Sequence, residues 1–435
     1  MPLHCYSISK QFVLFFFIAP LVACTSANKI KQQNLSKIYK RSISSVNPEF
    51  IVYHASDSAS RIYFSIKTKD LLYSKKESEN NFMAKVKIQY KLLESYKSEV
   101  VIDSTTFYVT DICKEINCPL LSERTEIVGD FSIKTQAGKK YLLEICATDL
   151  YRNQTHTAFI NVDRTTPFIH QNFLITSSPA GLPLFKKNLK WNEKITIQYN
   201  NASVKHFVCR YYQRDFPISP PPFSVYEQTT FDYQADSIFS VHTDSSENAI
   251  LEIDKTGFYH LLADSSEKSG TTVFYLGESF PELGTADELI APLRYITTKK
   301  EFSELTSAGD KKESVDKFWL KIGNNPERSK ELIRQYYSRV QDANRFFTSY
   351  TEGWKTDRGM IYIVFGSPNI IYKTSETENW LYGEENNFMS LSFNFYKVPN
   401  YFSDNDFLLE RSPIYKASYY KAVDTWREGR VLTTN

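Results

Sequence analysis

Residues 84–90, Ala84-Lys85-Val86-Lys87-Ile88-Gln89-Tyr90, place an apolar side chain at every second position. A strand with that period turns Ala84, Val86, Ile88 and Tyr90 to one face and Lys85, Lys87 and Gln89 to the other. This is the pattern of an antiparallel sheet with one wet side. The alternation recurs upstream in Phe50–Tyr53 and Arg61–Ile66, and downstream in Thr106–Val109, Tyr141–Ile145 and Thr157–Val162. Short alternating strands joined by polar turns predict a β-sandwich-like domain over 46–165. Asp163-Arg164-Thr165-Thr166-Pro167 reads as a linker, its proline holding the preceding residue extended. A second β domain is expected over 168–278, from Lys194–Tyr199, Lys205–Tyr212, Ala249–Ile253 and Gly257–Leu262. Within it Pro217, Pro220, Pro221 and Pro222 predict a stiff, exposed loop, with a proline-rich ligand for a partner as the rival reading.

Composition agrees with a β-rich globular chain. Aromatic residues make up 15% of the 435 residues, with 29 Tyr and 31 Phe, and these types favour strands. Only 14 Gly are present, which argues against glycine-rich phosphate loops. Lys plus Arg (52) nearly cancels Asp plus Glu (50), so the charge gives no support for a nucleic-acid partner.

The N-terminus carries an address. Residues 12–23, FVLFFFIAPLVA, form an uncharged apolar run behind Lys10. It is too short for a membrane span, which needs about twenty residues, and fits a signal-peptide core. Leu21-Val22-Ala23-Cys24 resembles a bacterial lipobox. That resemblance implies a signal peptide over 1–23, cleavage after Ala23, and lipid on Cys24 that anchors the protein to a membrane. Residues 24–45 contain no Asp or Glu and read as a flexible, basic tether. Thr25 instead of an acidic residue after the cysteine, and no acidic cluster behind it, favour the outer membrane, facing the periplasm. An oxidising compartment permits disulfides. Cys113 and Cys118 are near enough to close a small loop; the alternative is two free thiols. No CxxC or nearby His pair supplies a metal site, and no metal is expected.

The texture changes from about 284. Residues 284–348 predict a helical connector, and Pro326-Glu327 opens its clearest helix, with Leu332, Tyr336, Val340, Ala343 and Phe347 on one stripe. Then come Gly353-Trp354-Lys355-Thr356-Asp357-Arg358-Gly359 and the continuous apolar run Met360–Phe365, which reads as a buried strand. Glu378–Tyr382 and Met389–Phe395 suggest an antiparallel pair, with Met389, Leu391, Phe393 and Phe395 on one face. Tyr415, Tyr419, Tyr420, Val423 and Trp426 recur at helical spacing, in a helix that either closes this domain or docks a partner.

Gly353, Trp354, Thr356 and Asp357 resemble the naming motif of the GWxTD domain, found at the C-terminus of proteins from Bacteroidota and some other bacterial phyla. Phe318-Trp319, the aromatic helix from Tyr336 to Phe346, and Gly366 with Pro368 carry the likeness further, over about 285–435. The resemblance implies a lipoprotein with β-rich domains ahead of a C-terminal domain, here 349–435. The residues themselves allow two readings. In one, Gly353 and Gly359 supply φ > 0, Trp354 buries against the helix, Thr356 and Asp357 bond local amides, and Arg358 pairs with Asp357 or Glu378. In the other, Trp354, Asp357, Arg358 and Trp380 line a polar-aromatic site for a ligand or peptide.

Catalytic signatures are scarce. All seven His lie at or before residue 260, and there is no G-x-S-x-G, H-E-x-x-H or Walker sequence. His206 near Cys209 reads as a coincidence of strand position. Glu384-Glu385, Asp404 and Asp406 are expected in solvent, with a glycosidase pair as the rival reading.

The fold class expected is mainly β with an α+β C-terminal part: two tandem β-sandwich-like domains, a helical connector and a GWxTD domain. The expected role is a non-catalytic binding or scaffold subunit of a cell-envelope complex serving outer-membrane assembly, secretion and gliding, or nutrient uptake. It would have an envelope protein partner, the membrane through Cys24, and no cofactor. The alternatives are a periplasmic glycan- or peptidoglycan-binding protein that stacks sugars on exposed aromatics, and a hydrolase with a carboxylate site.

Overall fold

A computed structural model describes residues 30–40, 46–75, 81–113, 125–225, 233–245 and 248–431. Ala23, Cys24 and Cys118, with the signal peptide, lie outside the described residues. The fold is mainly β, with helices gathered toward the C-terminus.

The first domain contains β1 (Glu49–Ser56), β2 (Ala59–Lys67), β3 (Ser74–Lys75), β4 (Phe82–Leu93), β5 (Val101–Cys113), β6 (Glu126–Lys134), β7 (Lys140–Asp149) and β8 (Gln154–Asp163). One sheet runs β1-β2-β6; the other runs β3-β4-β7-β8, with β5 also paired to β4. Val52, Ile62, Phe64 and Ile66 of the first sheet share a core with Ala84, Val86, Ile88 and Tyr90 of the second. The alternating face of residues 84–90 is thus the inner face of a sandwich. Cys113 is disulfide-bonded, whereas Cys146 and Cys209 are free thiols.

A second sandwich follows: β9 (Phe173–Ser177), β10 (Lys194–Tyr199), β11 (His206–Tyr212), β12 (Ser237–His242), β13 (Ala249–Glu252), β14 (Gly257–Leu262) and β15 (Thr271–Tyr275). Its sheets run β13-β10-β9 and β12-β11-β14-β15. The larger sheet is covered on both sides. Tyr259, Leu261 and Val273 face the sandwich core, while Tyr212, Phe258 and Phe274 pack on Phe402 of the C-terminal part.

That part combines a sheet with helices. The sheet runs β16 (Ile370–Lys373), β17 (Thr377–Tyr382), β18 (Leu391–Lys397) and β19 (Phe407–Leu409), in that order. The helices are α1 (Ala286–Ile290), α2 (Lys299–Thr306), α3 (Lys311–Gly323), α4 (Pro326–Phe347), α5 (Asp357–Phe365) and α6 (Tyr415–Arg427). The stripe read for α4 is buried throughout: Leu332, Tyr336, Val340, Ala343 and Phe347.

Five expectations change. Met360–Phe365 is helix α5 and not a strand; each of its residues is buried, so the run carries no period to tell helix from strand. Residues 284–348 are no separate connector, because Trp319, Leu332 and Tyr336 share one core with Met360, Trp380, Phe393 and Trp426. Residues 30–40 are no free tether: Ile30, Leu35 and Tyr39 are buried in that same core. The proline loop is docked and not exposed, with Ser219 buried and Ile218 and Phe223 packed on the helical core. Met389 precedes β18 and is 77% exposed, so the apolar face of that strand begins at Leu391.

Candidate functional site

The motif begins where α4 ends. Gly353 sits in a tight turn against the last part of that helix, and a Cβ there would lie 2.0 Å from the Ala343 carbonyl oxygen. A Cβ on Gly359 would lie 1.9 Å from the Gly353 oxygen. Neither glycine is among the residues with positive φ. The reason for both glycines is close backbone approach, which corrects the φ > 0 expectation. The Trp354 amide donates to Asn344 Oδ1 (3.1 Å), its carbonyl accepts from the Tyr295 hydroxyl (2.9 Å), and its ring is buried. Thr356 is the N-cap of α5: its hydroxyl accepts from the Gly359 amide at 3.1 Å and donates to the Gly353 oxygen at 2.7 Å.

Asp357 and Arg358, read together as a pair, go separate ways. Asp357 bonds no local amide. Its Oδ2 accepts from the Leu409 amide (2.7 Å) and from Arg411 Nη1 (2.9 Å); its Oδ1 accepts from Arg411 Nη2 and from the Ser219 hydroxyl. The Ser219 amide also donates to the Lys355 oxygen at 2.9 Å, which ties the proline loop to the motif's backbone. Bidentate capture by Arg411 is the strong form of an arginine–carboxylate contact.

Arg358 enters a different cluster. Its Nη1 donates to Glu378 Oε1 at 3.1 Å, and Nη2 to the Asn405 carbonyl at 3.0 Å. Its guanidinium lies 4.2 Å from the Phe407 ring centre. Glu378 Oε1 also accepts from Lys373 Nζ (2.7 Å) and from the Tyr39 hydroxyl (2.8 Å), and Oε2 accepts from Trp380 Nε1 (3.1 Å). Burial pushes the Glu378 carboxyl up, but Lys373 and Arg358 outweigh it and hold the group at about 2. Burial, reinforced by Glu378, pushes the Tyr39 hydroxyl up to about 12. Tyr39 is further held by its carbonyl, which accepts from the Tyr362 hydroxyl at 3.0 Å.

The proposed joint pocket therefore does not assemble. Arg358 and Trp380 are buried in the Glu378 cluster and Asp357 in the Ser219–Arg411 cluster, while the Trp354 ring lies against Tyr295, with ring centres 6.2 Å apart. Trp354 and Lys355 line an open cleft of about 490 Å³ between the proline loop and α1–α2. Phe216, Ile218, Phe280, Leu283, Ala291 and Phe302 give it apolar walls; Asp215, Glu282, Asp287, Glu352 and Arg294 form a polar rim. Among these lining residues Lys355 bridges Glu352 at 3.1 Å and Asp215 at 3.4 Å.

Residues 257–428 match the GWxTD domain family. The chain carries a GWxTD domain. No curated protein matches the chain. The match starts at Gly257, the first residue of β14, and not near 285. The GWxTD region thus includes the β14–β15 hairpin, whose outer face Phe402 covers. Three of the residues that bind the motif, Ser219, Arg411 and Tyr39, carry no mark in the sequence that assigns them to it, and neither does Lys373, which shares Glu378 with Arg358. Only Tyr39 left a trace, because Ile30, Leu35, Ile38 and Tyr39 put a recurring apolar signal into a polar segment.

The acidic pairs divide as well. Glu384 and Glu385 are exposed, as read. Asp404 faces His170 (3.4 Å) and Lys397 (3.6 Å). Asp406 is buried, contrary to expectation, and burial pushes its carboxyl up to about 6. Among the described residues, no group of three or more His, Cys, Asp or Glu is placed to hold a metal, and no helix is long and apolar enough to cross a membrane.

Proposed function

We propose that the protein is a non-catalytic binding or scaffold subunit of a cell-envelope complex, held at the outer membrane by lipid on Cys24 and facing the periplasm. One observation carries the non-catalytic part. The two charged groups that open α5 are buried and neutralised by partners of the same chain: Asp357 by Arg411, and Arg358 by Glu378. Neither is placed to exchange a proton with a substrate. The open feature beside them is the cleft that Trp354 helps to line, whose apolar and charged lining suits side chains of a partner polypeptide. The lipobox supports the anchor, and the stacked β domains support a spacing or scaffolding role. The glycan-binding alternative keeps exposed aromatics to draw on, among them Trp191, Tyr108, Tyr396 and Tyr420, but four of the five tryptophans, Trp319, Trp354, Trp380 and Trp426, are buried.

The test is purification of the tagged protein from detergent-solubilised native membranes, with partners identified by mass spectrometry. We expect a stoichiometric envelope protein that is lost from Leu283→Glu, a cleft variant, with thermal unfolding as the control for its fold. Cys24→Ala separates partners that need the anchor from those that need only the cleft. A partner-free protein under mild conditions, or turnover of a cell-wall substrate that Asp406→Asn abolishes, overturns the reading.

A further inference from the structure

Residues 30–40 begin six residues after Cys24, and they do not hang free. The Lys31 amide donates to the Tyr96 oxygen at 3.2 Å, in the turn after β4. The Leu35 amide donates to the Ile371 oxygen at 2.9 Å, while Asn34 accepts from the Ile371 amide (3.1 Å) and donates to the Asn369 oxygen (3.0 Å). Ile30, Leu35 and Tyr39 bury their side chains in a core that also takes Leu93, Tyr96 and Leu142 from the first sandwich. The segment therefore clamps the first sandwich to the GWxTD domain at one seam. A chain of six residues reaches at most about 21 Å when fully extended.

We infer that residues 30–40 are a strap that fixes the lipid anchor to this seam, so that the end of the body bearing Ile30, Tyr96 and Asn369–Ile371 faces the bilayer. The inference rests on the proposed lipid at Cys24 and adds an orientation to it. The β-sandwiches then do not hold the GWxTD domain away from the membrane. The first sandwich and the GWxTD domain both start at the membrane surface, and a pull on the anchor loads the Lys31–Tyr96 and Leu35–Ile371 contacts first, then Tyr39 and the Glu378 cluster, and only after these β1. The far end of the first sandwich is identifiable. Along β4, Leu93 pairs with Leu142 and Val86 with Asp149, and the β7–β8 turn at Tyr151 follows Asp149. Seven residues of strand place that turn about 23 Å further along than Leu93.

Two measurements test this with the full chain. In Cys24→Ala protein, which needs no lipid, trypsin should leave the bonds after Lys31 and Lys37 intact, and Tyr39→Ala should speed their cleavage about tenfold or more. Asn34→Ala, which removes two hydrogen bonds and little packing, should give a smaller increase in the same place. Rapid cleavage in the Cys24→Ala parent overturns the strap. The second measurement uses lipidated protein in vesicles carrying a headgroup-linked acceptor dye, with a donor placed at Lys97 or at Tyr151. Energy transfer should be stronger from Lys97, and insertion of a Gly/Ser segment of about twenty residues ahead of Ile30 should at least halve it. Equal transfer from both positions, or transfer from Lys97 unchanged by the insertion, overturns the orientation. Absence of lipid on the Cys24 peptide by mass spectrometry contradicts the anchor itself, and protease protection with that result keeps the strap while removing the membrane.

Discussion

Asp357 and Arg358 are adjacent, oppositely charged and bonded to different parts of the molecule. They open helix α5, where successive side chains diverge by about 100°. Asp357 turns to the loop of the second sandwich, reaching Ser219 at 138 residues' separation. Arg358 turns to the N-terminal strap, reaching Tyr39 at 319 residues' separation. The two clusters also differ in character. Asp357 stands at a helix N-terminus, which favours a negative charge, and its Arg411 partner keeps 11% of its side chain exposed. Arg358 and Glu378 keep 1% and 0%, among aromatic faces. The difference teaches that the motif is a junction with a dry side and a partly wet side, and the dry side should dominate stability.

The largest expected effect is therefore Arg358→Ala. It leaves Glu378 in the core with Lys373 as its remaining cation and should lower the unfolding free energy by about 3–5 kcal/mol in urea titrations. Asp357→Asn should cost less, about 1–3 kcal/mol, because water can reach the Arg411 side. Combined with Ser219→Ala it should fall short of the sum, a coupling that a double-mutant cycle reads. Equal losses at 357 and 358 would break the contrast between the two sides.

Asp406 sharpens it, since it feels both Arg358 and Asp357. Its folded carboxyl titrates at about 6 against an ordinary value of 3.8. A carboxyl raised in the folded state costs stability above its folded pKa, and that cost disappears below the unfolded one. Asp406→Asn should accordingly stabilise the protein by about 3 kcal/mol at pH 7 and by almost nothing below pH ~4. Glu378 has the opposite sign. Its contribution is present in full above 4.5, is still mostly present near pH 4, and is lost progressively as the pH falls toward and through about 2. Acid unfolding near pH 4 should therefore not begin at the strap, as hydrogen exchange across a pH series will report. The smallest effect is Thr356→Ala, which removes the cap of α5 and should cost about 1 kcal/mol by thermal unfolding, alike for both sides.

These contrasts also explain what the sequence could convey. Val86 and Ile88 announce their strand because one face of β4 is dry and the other wet, so burial writes a period into the chain. Helix α4 is legible for the same reason at its own period. Helix α5 is buried all round and writes no period, so a six-residue apolar run was open to either reading. Gly353 and Gly359 were recognisable as constrained, but the constraint was contact with backbone, which only packing reveals. Ser219 and Arg411 were beyond reach, because a single serine in a proline loop and a single arginine near the tail carry no signal of one shared carboxylate. Arg358's choice of Glu378 over Asp357 was one of two readings, and helix geometry decides it.

The most direct test of the junction is native-state hydrogen exchange on Asp357→Asn and Arg358→Met beside the parent chain. The account predicts a crossed pattern. Asp357→Asn should speed exchange at the Ser219 amide and leave the Leu35 amide unchanged, and Arg358→Met should do the reverse. Faster exchange at both amides in both variants would show one undivided core and contradict the claim that the motif fastens two separate segments.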